Sequence, residues 1–273
     1  MRPIERRSRI ANLIRERGRV TVDALAHELG ASFETIRRDL TELAARGLIR
    51  KFHGGAILLD AAGFGTKVEG SFQARMLQNL GEKRAIARCA AALFSPGDSL
   101  FIDTGTTTLI FAEELARLSR LTVITNSVAI VQTIARGAGQ GNRVFLLGGE
   151  YMDDAAENVG KLAVEQISRF RAAHAVLTVG AIETEGVLDY DLNEAEIAAT
   201  MVAHARQVTV LADFTKLGRA GLFPVCSLAD VDRLVIDRAP TGSIAEDLRL
   251  AEVEVLVGPS TESVVDVAPE SPR

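Results

Sequence analysis

The chain has 273 residues, of which 47% are hydrophobic and 25% charged, a composition typical of a soluble globular protein with two domains. It contains no apolar run long enough to span a membrane, and its basic N-terminus is not followed by the apolar core of a signal peptide, so we expect no membrane partner and a cytoplasmic location. Cys89 and Cys226 have no cysteine or histidine at ligand spacing, which predicts free thiols, no metal site and no cofactor.

The net charge of −5 is unevenly distributed along the chain. Residues 1–59 carry 12 Arg and Lys against seven Asp and Glu, whereas the remaining residues carry 19 against 29. The basic N-terminal part, residues 1–59, is called the head, and the acidic remainder is called the body. This distribution of charge indicates that the head binds a polyanion and the body does not.

The head contains three stretches with helical periodicity. In the first, Ile10, Leu13 and Ile14 share one apolar stripe. Thr21 is a candidate N-cap of the second, which ends before Gly30.

The third stretch begins after Ser32, which can cap a helix. Four residues at helical spacing predict a face that is buried against the other two helices: Phe33, Ile36, Leu40 and Leu43. The opposite, solvated face carries four polar residues: Glu34, Arg37, Arg38 and Thr41. A helix of this kind can enter the major groove of DNA and present arginine to base edges or phosphates.

Two short apolar runs on either side of "HGG" predict a hairpin whose turn is formed by Gly54 and Gly55. Arg50, Lys51 and His53 on such a wing would lie against the phosphate backbone. Three short helices, a hairpin and a basic excess together predict a DNA-binding domain over residues 1–59.

Residues 32–56 closely resemble the winged helix-turn-helix of the DeoR family of bacterial transcription regulators. The resemblance is carried by Ser32, by "TIRRDL" at 35–40, by "GL" at 47–48 and by "HGGA" at 53–56. Two positions depart from the family pattern: Lys51 stands where the family has an arginine, and Phe33 stands where the family often has a small residue or proline. The resemblance implies operator DNA as the partner, with the following predicted DNA contacts: Ser32, Glu34, Thr35, Arg37, Arg38, Thr41, Arg50, Lys51 and His53.

The body is predicted to be an α/β domain. Residues 60–80 mix glycine and charge without a sustained period, as a linker would. Over residues 81–260, helical stretches alternate with seven short apolar runs, "SLFID", "LTVIT", "RVFLL", "AHAVLTVG", "QVTVLAD", "VDRLVID" and "EVEVLVG". This alternation predicts a mostly parallel sheet with helices on both faces. The polar, proline-containing residues 261–273 predict a disordered tail.

Small and polar residues follow several of these runs. The segment "DTGTTT" at 103–108 joins a predicted strand directly to a helix. Such a turn can bind a phosphate, but the same residues could also serve only to cap the helix. Asn126, Gly149 and Lys216 follow other strands. Because ligands of open α/β sheets bind at the carboxyl ends of the strands, we expect these residues to share one site.

The body also resembles the C-terminal sensor domain of the DeoR family, which shares a fold with ribose-5-phosphate isomerase and glucosamine-6-phosphate deaminase. The matches are "GEKRAIA", "FIDTGTTT", "LTVITNS", "LLGGE", "GAIETEGVLDYDLNEAEIA" and "LADFTKLGR", and "LDYDLNEAE" is similar to the glycerol-3-phosphate repressor subgroup. The resemblance implies a phosphorylated sugar or polyol as effector. The effector site that it implies consists of Asp103, Thr104, Gly105, Thr106, Thr107, Thr108, Asn126, Gly149, Glu194, Glu196 and Lys216, with Arg75 and Lys83 adding positive charge.

Three functions are compatible with these residues. The body could be an isomerase-like enzyme that uses Asp103, Glu194 or Glu196 as general base beside Lys216, or it could serve only to oligomerise the heads. The attached recognition helix and the threonine loop favour a third function, a non-enzymatic repressor that forms a dimer or tetramer and is released from DNA by its effector. The body's two histidines, His174 and His204, are predicted to be structural.

Overall fold

The computed structural model describes residues 6–7, 9–11, 13–14, 19–45, 49–52, 55–58 and 71–259. The chain divides into two compact units, Met1–Arg75 and Met76–Arg273, which are described separately. The boundary lies within the segment that the sequence predicts to be a linker.

The first unit, which we call the head, contains the predicted helices and hairpin. The described residues before position 15 are helical, and the following elements are β1 (Arg19–Thr21), α1 (Val22–Leu29), α2 (Phe33–Ala45), β2 (Ile49–Phe52) and β3 (Gly55–Leu58). The strands form an antiparallel sheet in the order β1-β3-β2. Strand β1 ends at the predicted cap Thr21, and no strand was predicted there from the sequence.

The ends of α1 follow the predicted signals. The Thr21 hydroxyl caps the helix by accepting a hydrogen bond from Ala24 N at 3.2 Å. Gly30 ends the helix with φ at 58°, a left-handed conformation that glycine adopts without a steric penalty.

The head core confirms most of the predicted apolar positions. The buried residues of the first two helical segments include Ile10, Leu13, Ile14 and Leu25, and α2 contributes Ile36, Leu40 and Leu43. The prediction for Phe33 was wrong, since this side chain is 54% exposed. Phe33 is the first residue of α2, and helical side chains lean toward the N-terminus, so its ring extends past the end of the helix instead of over the core.

The hairpin is confirmed, but its turn is displaced by one residue. Gly55 pairs with Phe52 as the first residue of β3, so it lies in the strand and not in the turn. The connection therefore comprises residues 53 and 54, a length typical of tight hairpins, and both lie outside the described residues.

The end of the predicted linker is helical. Helix α3 (Phe72–Leu77) begins after Ser71, whose hydroxyl accepts a hydrogen bond from Ala74 N at 3.3 Å. Glycines are frequent only up to Gly70, and the cap together with the i, i+4 pair Phe72 and Met76 accounts for a helix here. The predicted disordered tail and residues 60–70 lie outside the described residues.

The second unit, which we call the body, is an α/β domain. Its helices are α4 (Leu80–Ala91), α5 (Thr106–Leu115), α6 (Val128–Arg136), α7 (Lys161–Ile167), α8 (Leu192–Ala203) and α9 (Ser243–Leu250). Its strands are β4 (Ser99–Ile102), β5 (Thr122–Thr125), β6 (Arg143–Leu146), β7 (Glu150–Met152), β8 (Glu157–Val159), β9 (Ala172–Thr178), β10 (Ala181–Glu183), β11 (Gly186–Asp189), β12 (Ala205–Ala212), β13 (Phe223–Cys226), β14 (Arg233–Ile236) and β15 (Glu254–Val257).

The seven predicted strands form the central sheet of the body. Within the described residues their order is β15-β14-β12-β9-β4-β5-β6, and every neighbouring pair is parallel. One face packs against α4, α5 and α6, and the other against α7, α8 and α9. The sequence did not predict the β7-β8 hairpin or the small sheet β10-β11-β13, which lie between or after the main strands.

Candidate functional site

The exposed face of α2 is polar and basic. Arg37 and Arg38 are exposed, and the Arg38 guanidinium lies 3.4 Å from Glu34 in an i, i+4 pair that is too exposed to contribute much stability. Ser32 caps the helix, since its hydroxyl lies 3.3 Å from Thr35 N and 2.8 Å from Thr35 Oγ1. The helix is thus anchored by its apolar face and presents its charged face to solvent, as the sequence predicts.

A buried carboxylate on α2 ties the N-terminal helical segment to this helix. Asp39 is 5% exposed, and its Oδ2 accepts a hydrogen bond from Arg6 Nε at 2.5 Å while its Oδ1 lies 3.3 Å from Arg7 Nε. Asp39 belongs to the matched motif "TIRRDL", but no role was predicted for it from the sequence. A signal was available, because Asp39 lies three residues after Ile36 and four before Leu43, on the face predicted to be buried.

The wing places two predicted DNA contacts on one strand. Arg50 and Lys51 lie in β2, in register with Ile57 and Ala56 of β3. His53 lies outside the described residues, and the side-chain positions of Arg50 and Lys51 are likewise not among those described.

In the body, the turn after β4 is fixed by a buried carboxylate. Asp103 follows β4, is 6% exposed, and accepts hydrogen bonds from Thr178 N at 3.1 Å and 2.9 Å through its two oxygens. These bonds connect the carboxyl ends of β4 and β9, which are neighbouring strands of the central sheet.

Gly105 and three threonines form the start of α5. Thr106, Thr107 and Thr108 occupy its first turn and are all buried, and the Thr108 hydroxyl donates to Gly105 O at 3.2 Å. Gly105, as the N-cap residue, has no side chain with which to cap the helix. The first-turn N–H groups therefore lack a side-chain cap from this position, and the positive end of the helix dipole favours an anion there.

A small cavity, which we call the carboxylate cavity, adjoins this turn. Its room is about that of one water molecule. It is lined by Asp103, Thr104, Asn126, Glu157, Asp189, Glu194 and Ile197. Five elements therefore meet at the carboxyl ends of β4 and β5: these two strands, β8, the end of β11 and the first turns of α8.

The pKa of Asp103 is raised by its surroundings in this cavity. Burial raises the pKa of Asp103 well above its usual range, and the nearby charges of Asp189 and Glu194 raise it further, whereas the hydrogen bond from Thr178 N lowers it. Burial and the acidic neighbours therefore favour the neutral form of Asp103 in the folded chain.

Three cavity residues were not predicted from the sequence: Asp189, Glu157 and Ile197. Asp189 ends β11 in the quoted segment "LDYDLNEAE", so its position after a strand was a usable signal. Glu157 lies in β8, which has three residues and no distinctive pattern. The structure brings it to the cavity through Asn126, whose Nδ2 donates to Glu157 Oε2 at 3.0 Å and to Asn158 O at 3.2 Å.

The other predicted effector residues do not line the cavity. Glu196 is exposed on α8, and Gly149 faces the backbone of Val159, where a Cβ would lie 2.4 Å from the carbonyl oxygen. Lys83 is buried within α4, and Lys216 is half-buried in a 3₁₀ turn after β12. Arg75 falls in the first unit, with its guanidinium 5.7 Å from the centre of the Phe72 ring.

The body's two histidines and two cysteines do not line this cavity. His174 packs edge-on against Phe94 at 5.1 Å near the start of β9, and burial lowers its pKa. His204 follows α8 and its Nδ1 lies 2.9 Å from Thr200 O. Both cysteines are free thiols, and burial raises the pKa of Cys226 to about 12, which makes it a poor nucleophile at neutral pH.

Two features are absent from the described ranges of the chain. No cluster of three or more histidine, cysteine, aspartate or glutamate side chains there is arranged to hold a metal ion. The helices of those ranges include none with the length and apolar character needed to cross a bilayer.

Comparison with known families matches both units. Residues 6–62 match the DeoR-like helix-turn-helix domain, and residues 78–238 match the DeoR C-terminal sensor domain.

Curated relatives match along most of the chain. It is 32% identical over 253 residues to the HTH-type transcriptional repressor CsqR of Escherichia coli K12, covering 92% of this chain and 94% of that protein. It is 30% identical over 249 residues to the Glycerol-3-phosphate regulon repressor of the same organism, covering 91% and 96%. It is 31% identical over 233 residues to the Lactose phosphotransferase system repressor of Staphylococcus aureus N315, covering 85% and 91%.

Solved structures show weaker similarity. The translation initiation factor eIF-2B of Pyrococcus horikoshii OT3 matches with a TM-score of 0.40 and 14% identity, over 74% of this chain and 68% of that one. A D-ribose-5-phosphate isomerase in complex with phospho-erythronic acid matches with a TM-score of 0.37 and 15% identity, over 50% and 52%. The assignment therefore rests on the two domain matches and on relatives of 30% identity or more across nearly the whole chain: the protein belongs to the DeoR family of transcription regulators.

Proposed function

We propose that the protein is a transcriptional repressor that binds operator DNA through its head and is released by a phosphorylated sugar or polyol bound to its body. The observation that carries the proposal is α2, whose apolar residues are buried while Arg37 and Arg38 remain exposed on the opposite face. The relatives at about 30% identity are named as repressors of glycerol-3-phosphate and lactose systems, which supports a repressor over an enzyme.

In this proposal α2 lies in the major groove. Arg37 and Arg38 contact guanine edges or phosphates, and Glu34 and Thr41 extend the same face. The Thr41 hydroxyl donates to Arg37 O at 2.8 Å. Ser32 and Thr35 are placed at the N-terminus of the helix, and Arg50, Lys51 and His53 of the wing contact the phosphate backbone.

The effector site in the proposal has two parts. The phosphate binds at the first turn of α5, where Gly105 to Thr108 offer N–H groups and hydroxyls, and the remainder of the effector occupies the carboxylate cavity. We include Lys83, Lys216, Gly149, Glu196 and Arg75 as candidate contacts that require the effector-bound arrangement, since none of them lines the cavity here.

The size of the cavity suggests how binding is coupled to release. A space for about one water molecule cannot hold a sugar phosphate, so the effector must move apart the elements that surround it, β8 and the start of α8 among them. Such a movement gives the body two states with different effector affinity. The difference sets an upper limit to the coupling, typically about 1–3 kcal/mol.

We further propose that the body forms a dimer or tetramer. A two-fold assembly would place two heads on inverted half-sites of the operator. Exposed apolar side chains near the β6 edge of the sheet, Leu146, Tyr151 and Met152, provide a surface for such an assembly. Since regulators of this kind act on chromosomal DNA, the proposed location is the cytoplasm.

Two substitutions separate DNA binding from effector binding. Arg38→Ala should weaken binding to the operator by about 1–3 kcal/mol without changing effector affinity, because it removes a charged donor from the exposed face of α2. Arg249→Ala is a matched control, since Arg249 is also an exposed helical arginine paired with a glutamate, Glu246, but lies in the body. Equal operator affinity of both variants, measured by fluorescence anisotropy at fixed salt, would show that α2 is not the recognition helix.

Thr106→Val tests the effector part. The substitution conserves volume and removes a buried hydroxyl from the first turn of α5, so we expect normal DNA binding and weaker release by the effector. Thr133→Val serves as the control, because the Thr133 hydroxyl bonds only a helical carbonyl, Ala129 O at 2.9 Å. Release of the Thr106 variant at the wild-type effector concentration would remove this turn from the proposed site.

A further inference from the structure

A cleft in the head lies between the N-terminal helical segment and α2, and we call it the arginine cleft. Six described residues line it: Arg6, Arg7, Thr35, Arg38, Asp39 and Glu42. The four from α2 are spaced i, i+3, i+4 and i+7, so they form one ridge along the helix. The volume of the cleft is about 330 Å³, far larger than the carboxylate cavity and sufficient for a phosphate group.

The arginine cleft carries more positive than negative charge. Among the described residues that line it, three carry a guanidinium and two a carboxylate. Asp39 is buried and accepts a hydrogen bond from Arg6 Nε, so the charges of these two residues compensate each other. The remaining charges belong to Arg7, Arg38 and Glu42, and the Arg38 side chain is 81% exposed. An anion that enters the cleft therefore meets two guanidinium groups and one competing carboxylate.

Arg7 is held in the cleft by ion pairs and not by hydrogen bonds. Its Nε is buried and lies 3.3 Å from Asp39 Oδ1, but it makes no hydrogen bond with the described residues. Its Nη1 lies 3.6 Å from Glu42 Oε1, which is too long for a hydrogen bond. A guanidinium has five N–H donors in a planar fork that matches the oxygens of a phosphate. A phosphate could therefore form hydrogen bonds with Arg7 that the two carboxylates do not form.

The ridge that lines the cleft is next to the face of α2 proposed to read the bases. Consecutive residues of an α-helix are about 100° apart around its axis, so Arg38 on the ridge neighbours Arg37 on that face. A helix that lies in the major groove has the backbone phosphates on either side of it. The arginine cleft is therefore on a side of α2 that would meet the DNA backbone.

On the basis of the proposed function, we propose that the arginine cleft binds a backbone phosphate of the DNA between Arg7 and Arg38. Arg7 belongs to the N-terminal helical segment, outside the DNA contacts predicted from the sequence. The contact orients α2 on the duplex and carries no sequence information, because phosphate contacts position a protein and base contacts specify its site. Glu42 opposes the contact, since its carboxylate lies beside the Arg7 guanidinium.

The salt dependence of DNA binding tests for this contact. Labelled DNA from the chain's own upstream region and an unrelated duplex of the same length are titrated with the full chain by fluorescence anisotropy at several salt concentrations. Each phosphate contact contributes about 0.9 to the slope of log K against log salt. Arg7→Gln should therefore make the slope shallower by about 0.9 and weaken binding to both duplexes alike, by about fivefold at about 0.15 M salt. Arg7→Lys keeps the charge and should retain most of the slope.

Two control variants match these changes in charge. Arg9→Gln removes a positive charge from the same helical segment, but Arg9 is exposed and does not line the cleft, so the slope should stay at the wild-type value. Glu42→Gln removes the competing carboxylate and should strengthen binding to both duplexes by about threefold. Glu28→Gln changes an exposed carboxylate of α1 outside the cleft and should have a smaller effect.

A purely structural role of Arg7 predicts a different result. If Arg7 served only to hold Asp39, Arg7→Gln would lower the Tm of the head and the DNA affinity while the slope stayed unchanged. Glu42→Gln keeps the test decisive if Arg7→Gln unfolds the head, because it leaves Asp39 and both of its arginines in place.

The outcomes distinguish this inference from the function on which it rests. An unchanged slope in a folded Arg7→Gln variant, an equal change in Arg9→Gln, or equal effects of Glu42→Gln and Glu28→Gln would overturn the inference and leave the repressor function standing. If the wild-type chain binds neither duplex at any salt concentration, DNA binding itself fails, and the inference with it.

Discussion

Gly105 offers a test of how tightly the effector turn is packed against β9. In Gly105→Ala the new Cβ would lie 1.8 Å from Thr178 Cγ2 and 3.1 Å from Thr178 Cβ, whereas carbon atoms in contact are about 3.5–4.0 Å apart. The backbone itself is not strained by alanine, since φ of Gly105 is −176°. The cost is therefore steric, and overpacking of this kind typically amounts to about 1–3 kcal/mol.

The clash also shows which second substitution should relieve it. Thr178→Ser removes Cγ2 and keeps the backbone N–H that binds Asp103, so the double variant should recover most of the stability lost in Gly105→Ala. The remaining contact, 3.1 Å between the added Cβ and the Cβ of residue 178, requires only a small shift of either residue. A double-mutant cycle then isolates the coupling between the two positions.

Calorimetric unfolding of the full chain provides the measurement. For a domain of 150–250 residues a loss of 1 kcal/mol lowers Tm by about 2–4 °C, so Gly105→Ala should lower the Tm of the body by about 2–12 °C. The double variant should unfold within about 2 °C of Thr178→Ser alone. Additive effects of the two substitutions would refute the close approach of the turn to β9.

Three further predictions concern other parts of the account. Asp39→Ala should lower hydrogen-exchange protection in α1 and α2 by about 30-fold or more, because it removes the buried carboxylate that Arg6 and Arg7 contact. Glu42→Ala is the control: it removes an exposed carboxylate 3.6 Å from Arg7 and should leave protection nearly unchanged. Phe33→Ala should leave the stability of the head within about 0.5 kcal/mol, since the ring is exposed, and should weaken operator binding in anisotropy titrations; a large loss of stability would place the ring in the core. Asp103→Asn should make the body increasingly more stable than the wild type as pH rises, because the pKa of Asp103 is raised in the folded state. The stability that the neutral acid contributes to the wild type is present at low pH and is lost as pH rises through that folded pKa. Denaturant titrations at several pH values measure the difference, and a difference in unfolding free energy that stays constant with pH would show that the pKa of Asp103 is not raised.

The sheet was predictable because its inner strands are buried on both faces. Strands such as Ser99–Ile102 and Arg233–Ile236 appear as short apolar runs separated by helical stretches, and the structure makes each such run a strand of the parallel sheet. The same logic placed Asp103 and Asn126 at strand ends, where the structure brings them to one cavity.

Features that depend on tertiary contacts were not predictable. Strand β8 has three residues, and Glu157 lines the cavity beside Asn126, whose amide donates to its carboxylate and to the next backbone carbonyl. Glu194 and Glu196 look equivalent in sequence, yet they lie about 200° apart around the helix axis, so only one faces the cavity. Phe33 fits the apolar period of α2, but the period does not reveal that the first residue of the helix remains about half exposed.

The most direct test of the account is an anisotropy titration of the full chain bound to labelled DNA from its own upstream region, at a fixed salt concentration because phosphate contacts dominate the affinity. Sugar and polyol phosphates, glycerol 3-phosphate among them, are added one at a time, with the same compounds lacking phosphate as controls. The account predicts that one phosphorylated compound releases the DNA and that its unphosphorylated form does not. Tight DNA binding that no phosphorylated compound weakens would contradict the sensor role of the body.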